Sequence, residues 1–335
     1  MATRGSRDPG RDLWWAHTGG GGGNFGIVTR YWFRSPEASG EDPRRLLPRP
    51  PSEVLACTVV WPWDQLGERA FVRLVRNYSG WFAAAEAPRS PDDHLYTHLA
   101  TFHAAGGAVA LNVQLAATPS DADRRLDAFL AAVNDGVGVA FQIRERTRLP
   151  WLLGTQWQGL ADRPVAKRIK GKSATHRTVI SEAAATAIYR NLTRTDYTHP
   201  GSGILIAPYG GRVAAVPPGA TAVPHRDCAL ILLYVSEWGD PAQDDLHIGF
   251  QRRLYQEVYA ATGGVPVPGG DTGGAYINYP DIDLADPRWN ASGVPWHELY
   301  YRDGHARLRR VKARWDPHDV FRHRLSVAPA GPTGQ

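Results

Sequence analysis

Apolar positions along this chain recur in two rhythms. Val54 to Trp61 is a continuous apolar run of strand length, and Leu66, Ala70, Phe71, Leu74, Val75 and Tyr78 follow it at helical spacing. Leu95 to His103 and Ala108 to Ala116 flank Gly106-Gly107, which predicts a hairpin. Ser120 is placed to cap a helix whose Ala122, Leu126, Phe129, Leu130 and Val133 share one face, closed by Gly136. The same texture returns in the second half. It predicts a strand over Phe141 to Arg148, a helix after Ser181, a hairpin from Ile204 to Val216 turning at Gly210-Gly211, and a strand over Cys228 to Trp238. A helix marked by Leu246, Phe250, Leu254 and Val258 comes next. Strands in hairpins with helices between them predict an α+β fold, a large antiparallel sheet covered by helices on one face.

The two ends of the chain break this pattern. Asp12 can cap a short turn through Leu13 to Ala16, five glycines run from Gly19 to Gly23, and Ile27 to Phe33 reads as a strand of β-branched and aromatic residues. Arg34 to Ser52, rich in Pro and Arg, is a connector. After Gly263-Gly264 the chain turns aromatic and polar, with Tyr276-Ile277-Asn278-Tyr279-Pro280-Asp281 and Tyr300-Tyr301, and then a basic helix over Ala306 to Arg314. Three regions are expected: residues 1–35, 36–275 and 276–335.

Composition narrows the classes. With 335 residues, 43% apolar and 21% charged, the chain is long enough for a substantial core. The net charge of +5 is scattered, and no aromatic interleaving accompanies it, so nucleic acid is not an expected partner. The densest basic run, Lys167 to Lys172, fits a solvated loop or an anion contact equally well. Cys57 and Cys228 are too few for a disulfide framework or a thiolate zinc site. No run has the composition of a signal peptide or the length of a membrane span, which leaves a cytoplasmic or unassigned location.

Gly21-Gly22-Gly23-Asn24-Phe25-Gly26 has the spacing of a dinucleotide-binding fingerprint. That fingerprint acts between a strand and a helix N-terminus, however, and here a strand follows the glycines. What the segment offers is bare backbone that a ligand can approach, or else a flexible linker. Gly171-Lys172-Ser173 lacks the first glycine of a phosphate loop, and neither His94 with His98 nor His318 with His323 has carboxylates arranged around it as metal ligands. Tyr276 to Asp281 is the best chemical candidate. A phenol titrates near 10, so it works as a base only where cations or donors favour the phenolate, and two tyrosines around an asparagine also suit the edge of an aromatic core.

Leu13-Trp14-Trp15-Ala16 with Gly19 to Thr29, Ala222-Val223-Pro224-His225-Arg226, and Tyr276 to Asp281 with Tyr300-Tyr301, Arg307-Leu308, Val311-Lys312 and Asp316-Pro317 occur in this order. Together they resemble the berberine-bridge-enzyme-like FAD-linked oxidases. The resemblance implies the end of a PCMH-type FAD-binding domain, a substrate domain, and a C-terminal return to the flavin. It implies FAD as cofactor, molecular oxygen as acceptor, and a sugar or glycosylated natural product as substrate. Tyr279 would be the base; Gly23, Asn24, Phe25, Gly26, Val28, Asn278 and His305 would contact FAD; Tyr209, Tyr234 and Tyr276, with Trp238, would line the substrate side. The family's diphosphate loop has no counterpart here, so a missing N-terminal part in cis or in trans, or a binding remnant without flavin chemistry, is also implied. Arg302-Asp303-Gly304-His305 departs from the family's glycine-then-asparagine pattern.

Overall fold

The computed structural model describes residues 1–35, 38–84, 95–117, 120–157 and 167–331. Its elements run α1 (Arg11–His17), β1 (Glu53–Pro62), α2 (Glu68–Ala83), β2 (Leu95–Phe102), β3 (Ala108–Ala116), α3 (Ala122–Asn134), β4 (Gln142–Pro150) and α4 (Trp151–Gly154). There follow β5 (Arg168–His176), α5 (Glu182–Leu192), β6 (Ser202–Pro208), β7 (Leu230–Trp238), α6 (Asp244–Val258), β8 (Thr272–Gly274), α7 (Trp296–Tyr301) and α8 (His305–Trp315). The strands form one antiparallel sheet in the order β4-β1-β3-β2-β6-β7-β5-β8. The α+β expectation therefore holds.

Alternation along each strand divides the sheet into two faces. Val59, Leu99, Leu111, Val113, Ile204, Ile206 and Leu232 are fully buried on the face that carries α2, α3, α5 and α6. Tyr78 of α2 seals this layer by donating to the Ile206 carbonyl at 2.9 Å and meeting the Thr97 hydroxyl at 2.7 Å. Tyr255 of α6 donates to the Ser173 carbonyl at 2.7 Å. The opposite face presents the intervening residues, among them Tyr96, His98, Asn112, Leu205, Ala207, Ile231 and Leu233. This second face is available for a site.

Several local expectations need correction. The hairpin through Val216 is absent, because β6 pairs with β2 and β7 and its chain leaves the sheet through a short helical turn at Gly211–Val213. Ile27 to Phe33 forms no strand and joins no ladder, and Ile27, Tyr31, Trp32 and Phe33 are exposed. Asp12 lies inside the first turn of α1 and pairs with Arg307 instead of capping. Asp121, not Ser120, precedes α3. Leu246 faces solvent, and His247 and Gln251 take buried positions on α6 in its place. The basic run is part of β5, where Lys172 is buried.

Candidate active site

The Tyr276 to Asp281 turn is pinned at both ends. Gly274, at φ 106°, leaves no room for a side chain: a Cβ there would lie 2.2 Å from the Leu299 carbonyl oxygen. Ala275 N–H donates to that same carbonyl at 2.8 Å, and Tyr276 N–H donates to Ser173 Oγ at 2.9 Å. At the far end Asp281 N–H donates to Tyr300 Oη at 2.9 Å, while the Asp281 carboxylate sits 2.6 Å from Lys170 Nζ and also against Lys172 Nζ. Asp283 extends this cluster to Lys170 at 2.8 Å, Lys172 at 3.1 Å and Arg252 at 2.8 Å. The lysines of the basic run therefore hold the turn. With its ends fixed, the turn exposes Asn278 and Tyr279 and leaves Tyr276 half-buried.

Three phenols gather there. The Tyr276 ring meets Tyr279 edge-on at 5.6 Å and Tyr209 at 6.4 Å, and Asn278 Nδ2 donates to Tyr276 Oη at 2.8 Å. Burial, then the neighbouring Tyr276 and Tyr96, raise the Tyr279 phenol above its ordinary value, although its side chain keeps 37% exposure at the surface. Burial pushes Tyr209 up to about 12, with Tyr276 adding to the rise and Arg226 opposing it. Arg226 faces both Tyr209 and Tyr276; it donates to the Val213 carbonyl and Thr221 Oγ1, and its buried Nε has no protein partner among the described residues. Among the described residues Arg226 thus favours the Tyr209 phenolate, whereas the groups acting on Tyr279 are phenols.

The glycine-rich segment lies beside this turn. A Cβ on Gly21 would come 2.9 Å from Ile277, one on Gly20 would come 2.9 Å from Leu308, and one on Gly19 would come 2.3 Å from Val223. Tyr301 Oη donates to the Gly20 carbonyl at 3.1 Å, and Ala222 N–H donates to the Thr18 carbonyl at 3.1 Å. All three motifs that carry the family resemblance therefore converge on one place. Asn24 shapes the segment from inside: buried, it donates to the Gly20 and Gly22 carbonyls at 3.1 and 3.2 Å and accepts from Val327 N–H at 2.8 Å. Lys312 Nζ donates to the Asn24 carbonyl at 2.8 Å. Because carbonyls are drawn inward, the amide N–H groups of Gly21 to Gly26 have no protein acceptor among the described residues. Gly22 and Gly26 face open space, Phe25 is buried in the core, and Val28 is exposed. Such a row of uncommitted donors along bare backbone fits the oxygen and nitrogen acceptors of a flavin, contacted by main chain.

Two residues expected on the substrate side fall elsewhere. Tyr234 cannot line a substrate surface. It is 0% exposed on the helix-covered face, with its hydroxyl 2.9 Å from that of Tyr259 and its ring edge-on to Tyr255. Trp238 shares that face, and its indole donates to Asp244 at 2.8 Å. His305 stacks on His297 at 3.9 Å and lies parallel to Tyr301 at 6.0 Å; burial, then His297, hold it near 4 and hence neutral. Arg302, at φ 47°, clamps the Gly273 carbonyl at 2.8 Å and Asp227 at 2.9 Å. His94 lies outside the described residues, and among those described no cluster of His, Cys, Asp or Glu is placed to hold a metal. No described helix is long and apolar enough to cross a membrane.

Tyr96, His98, Asn112 and Arg226 are site residues that sequence reasoning did not select as such. Tyr96 and His98 alternate with the buried Leu95, Thr97 and Leu99, so the period-two pattern already marked them as facing away from the helices. No local pattern says that this face meets a distant tyrosine turn.

Residues 275–328 match the family model "Berberine and berberine like". The chain is 44% identical over 331 residues to aclacinomycin-N/aclacinomycin-A oxidase of Streptomyces galilaeus, covering 99% of this chain and 60% of that protein. It belongs to the berberine bridge enzyme-like family. Among solved structures it is similar to CrmK, a flavoenzyme of caerulomycin biosynthesis, with 47% identity, a TM-score of 0.94, and coverage of 98% of this chain and 66% of that one. It is similar as well to a glycopeptide hexose oxidase solved with teicoplanin, with 43% identity, a TM-score of 0.90 and the same coverage. The chain thus spans roughly two thirds or less of these berberine bridge enzyme-like relatives.

Proposed function

We propose that this berberine bridge enzyme-like chain supplies the substrate-facing part of an FAD-dependent oxidase that converts a hydroxyl of a sugar or glycosylated natural product to a carbonyl. The observation that carries this reading is the convergence of a phenol-bearing turn, an open sheet face and a row of free backbone donors. Relatives whose names record oxidation of aclacinomycins or hexoses support it.

On this reading the backbone of Gly23, Asn24, Phe25, Gly26 and Val28, with Asn278 and His305 nearby, contacts the flavin. When bound there, FAD supplies hydride acceptance and passes the electrons to oxygen, giving hydrogen peroxide. The chain's own part is proton handling and orientation. Tyr279 Oη takes the hydroxyl proton as the carbon loses hydride, Tyr209 and Tyr276 flank the sugar, and Arg226 sets the charge around those two phenols. Since the groups that act on Tyr279 among the described residues are phenols, its activation depends on groups that close over the exposed side of the site. Polypeptide in cis or in trans would supply them, and the exposed, unpaired Ile27 to Phe33 segment is where it would join.

In the FAD-loaded protein, Tyr279→Phe should lower kcat by about a hundredfold or more while flavin absorbance and KM stay near wild type. Unchanged turnover would remove Tyr279 from the base role.

A further inference from the structure

The open sheet face carries a polar chain that the phenols do not use. Thr58 of β1, Asn112 of β3 and His98 of β2 stand side by side in register. Thr58 Oγ1 donates to Asn112 Oδ1 at 2.8 Å, which orients the amide so that Asn112 Nδ2 points at His98 Nε2, 3.0 Å away. An imidazole nitrogen that accepts there carries no proton, so in the neutral ring the proton is on Nδ1. Burial lowers the His98 pKa, which keeps the ring neutral. Among the described residues no protein group takes Nδ1–H. His98 is half-buried and lies edge-on to Tyr96 at 6.2 Å, and Tyr96 is one of the groups that act on Tyr279. The sheet has thus built a single-direction donor on the face that carries Tyr96.

We infer that His98 is a specificity-determining residue that donates its Nδ1–H to an oxygen acceptor of the bound sugar, with Thr58 and Asn112 as the positioning residues that fix its tautomer. The inference rests on the reading of this face as a sugar site. A reversed relay, with the Asn112 amide turned over and His98 Nε2–H donating, would present an acceptor instead of a donor, and experiment separates the two.

Two measurements on the full chain test this. In a long-range proton–nitrogen spectrum at pH 7, His98 should show Nδ1 protonated and Nε2 bare; an Nε2–H tautomer or an imidazolium overturns the inference. The second measurement is a titration with methyl glycosides of neutral hexoses and 6-deoxyhexoses. His98→Asn keeps an amide donor near the Nδ1 position and gives up the contact to Asn112, whereas His98→Gln keeps that contact and gives up the Nδ1 donor. Binding should therefore weaken about five- to tenfold in His98→Gln and stay within about twofold in His98→Asn. The opposite order, or no change in either, overturns the inference while leaving the sugar site standing. Failure of every glycoside to bind the wild-type chain overturns the sugar-site reading and this inference together.

Discussion

At the scale of single residues, burial and partners sort side chains that look alike in the sequence. Tyr209, Tyr234, Tyr276 and Tyr279 all qualify as site phenols by composition, yet Tyr234 is enclosed between β7 and α6 with its hydroxyl on Tyr259. The reason is parity: Tyr234 lies opposite Lys172 and Ile204 in the ladder, and both belong to the helix-covered face. Tyr234→Phe should therefore cost about 1 kcal/mol in denaturant unfolding, the worth of one buried hydrogen bond, and leave glycoside binding unchanged. A binding defect without a stability change would restore Tyr234 to the site.

At the scale of elements, the decisive contact joins β5 to the tyrosine turn. Two lysines, two aspartates and Arg252 form a mutually paired and largely buried cluster there. Burial alone would raise the Asp283 carboxyl, but Arg252, Lys172 and Lys170 outweigh it and hold the group well below the usual carboxylate range. A carboxyl depressed in the folded state contributes stability that is fully present above its unfolded pKa, near 4, and is lost as pH falls toward the folded value. Stability measured by urea unfolding should thus fall between pH 5 and pH 3. Asp283→Asn should be less stable at pH 7, by about 3 kcal/mol, and should show a shallower acid loss. An equal acid slope in both proteins would mean that other carboxylates control it. The run Lys167 to Lys172 alone could not disclose this role, because its aspartate partners lie more than a hundred residues away.

At the scale of the whole molecule, the chain's two ends are stitched together around Asn24. Its side chain ties the glycine carbonyls to Val327 N–H across 303 positions, and Lys312 grips its carbonyl. Asn24→Ala would strand a buried N–H and release those carbonyls. It should cost about 2–4 kcal/mol and open the glycine segment to limited proteolysis before the sheet unfolds. Loss of both at one transition would show that the segment and sheet unfold as a unit. The exposed apolar stretch Ile27 to Phe33 has the opposite character. Its β-branched and aromatic residues read as a strand, yet it pairs with no strand among the described residues.

What the sequence by itself determined is whatever depends on near neighbours. Periodicity placed the central strands and main helices, turn chemistry placed the bend at Gly106-Gly107, and three short motifs carried the family. Tertiary structure decided what depends on which face meets which. It put Tyr234 and Trp238 in the core, turned the basic run into a buried anchor, and replaced the hairpin at Gly210-Gly211 with a ladder between β6 and β2. It also brought Arg226 to Tyr209 and lined up His98, Asn112 and Thr58 on one sheet face. The physical reason is that a strand's alternation says only that its two faces differ, whereas the identity of each face is settled by the long-range ladder that pairs it.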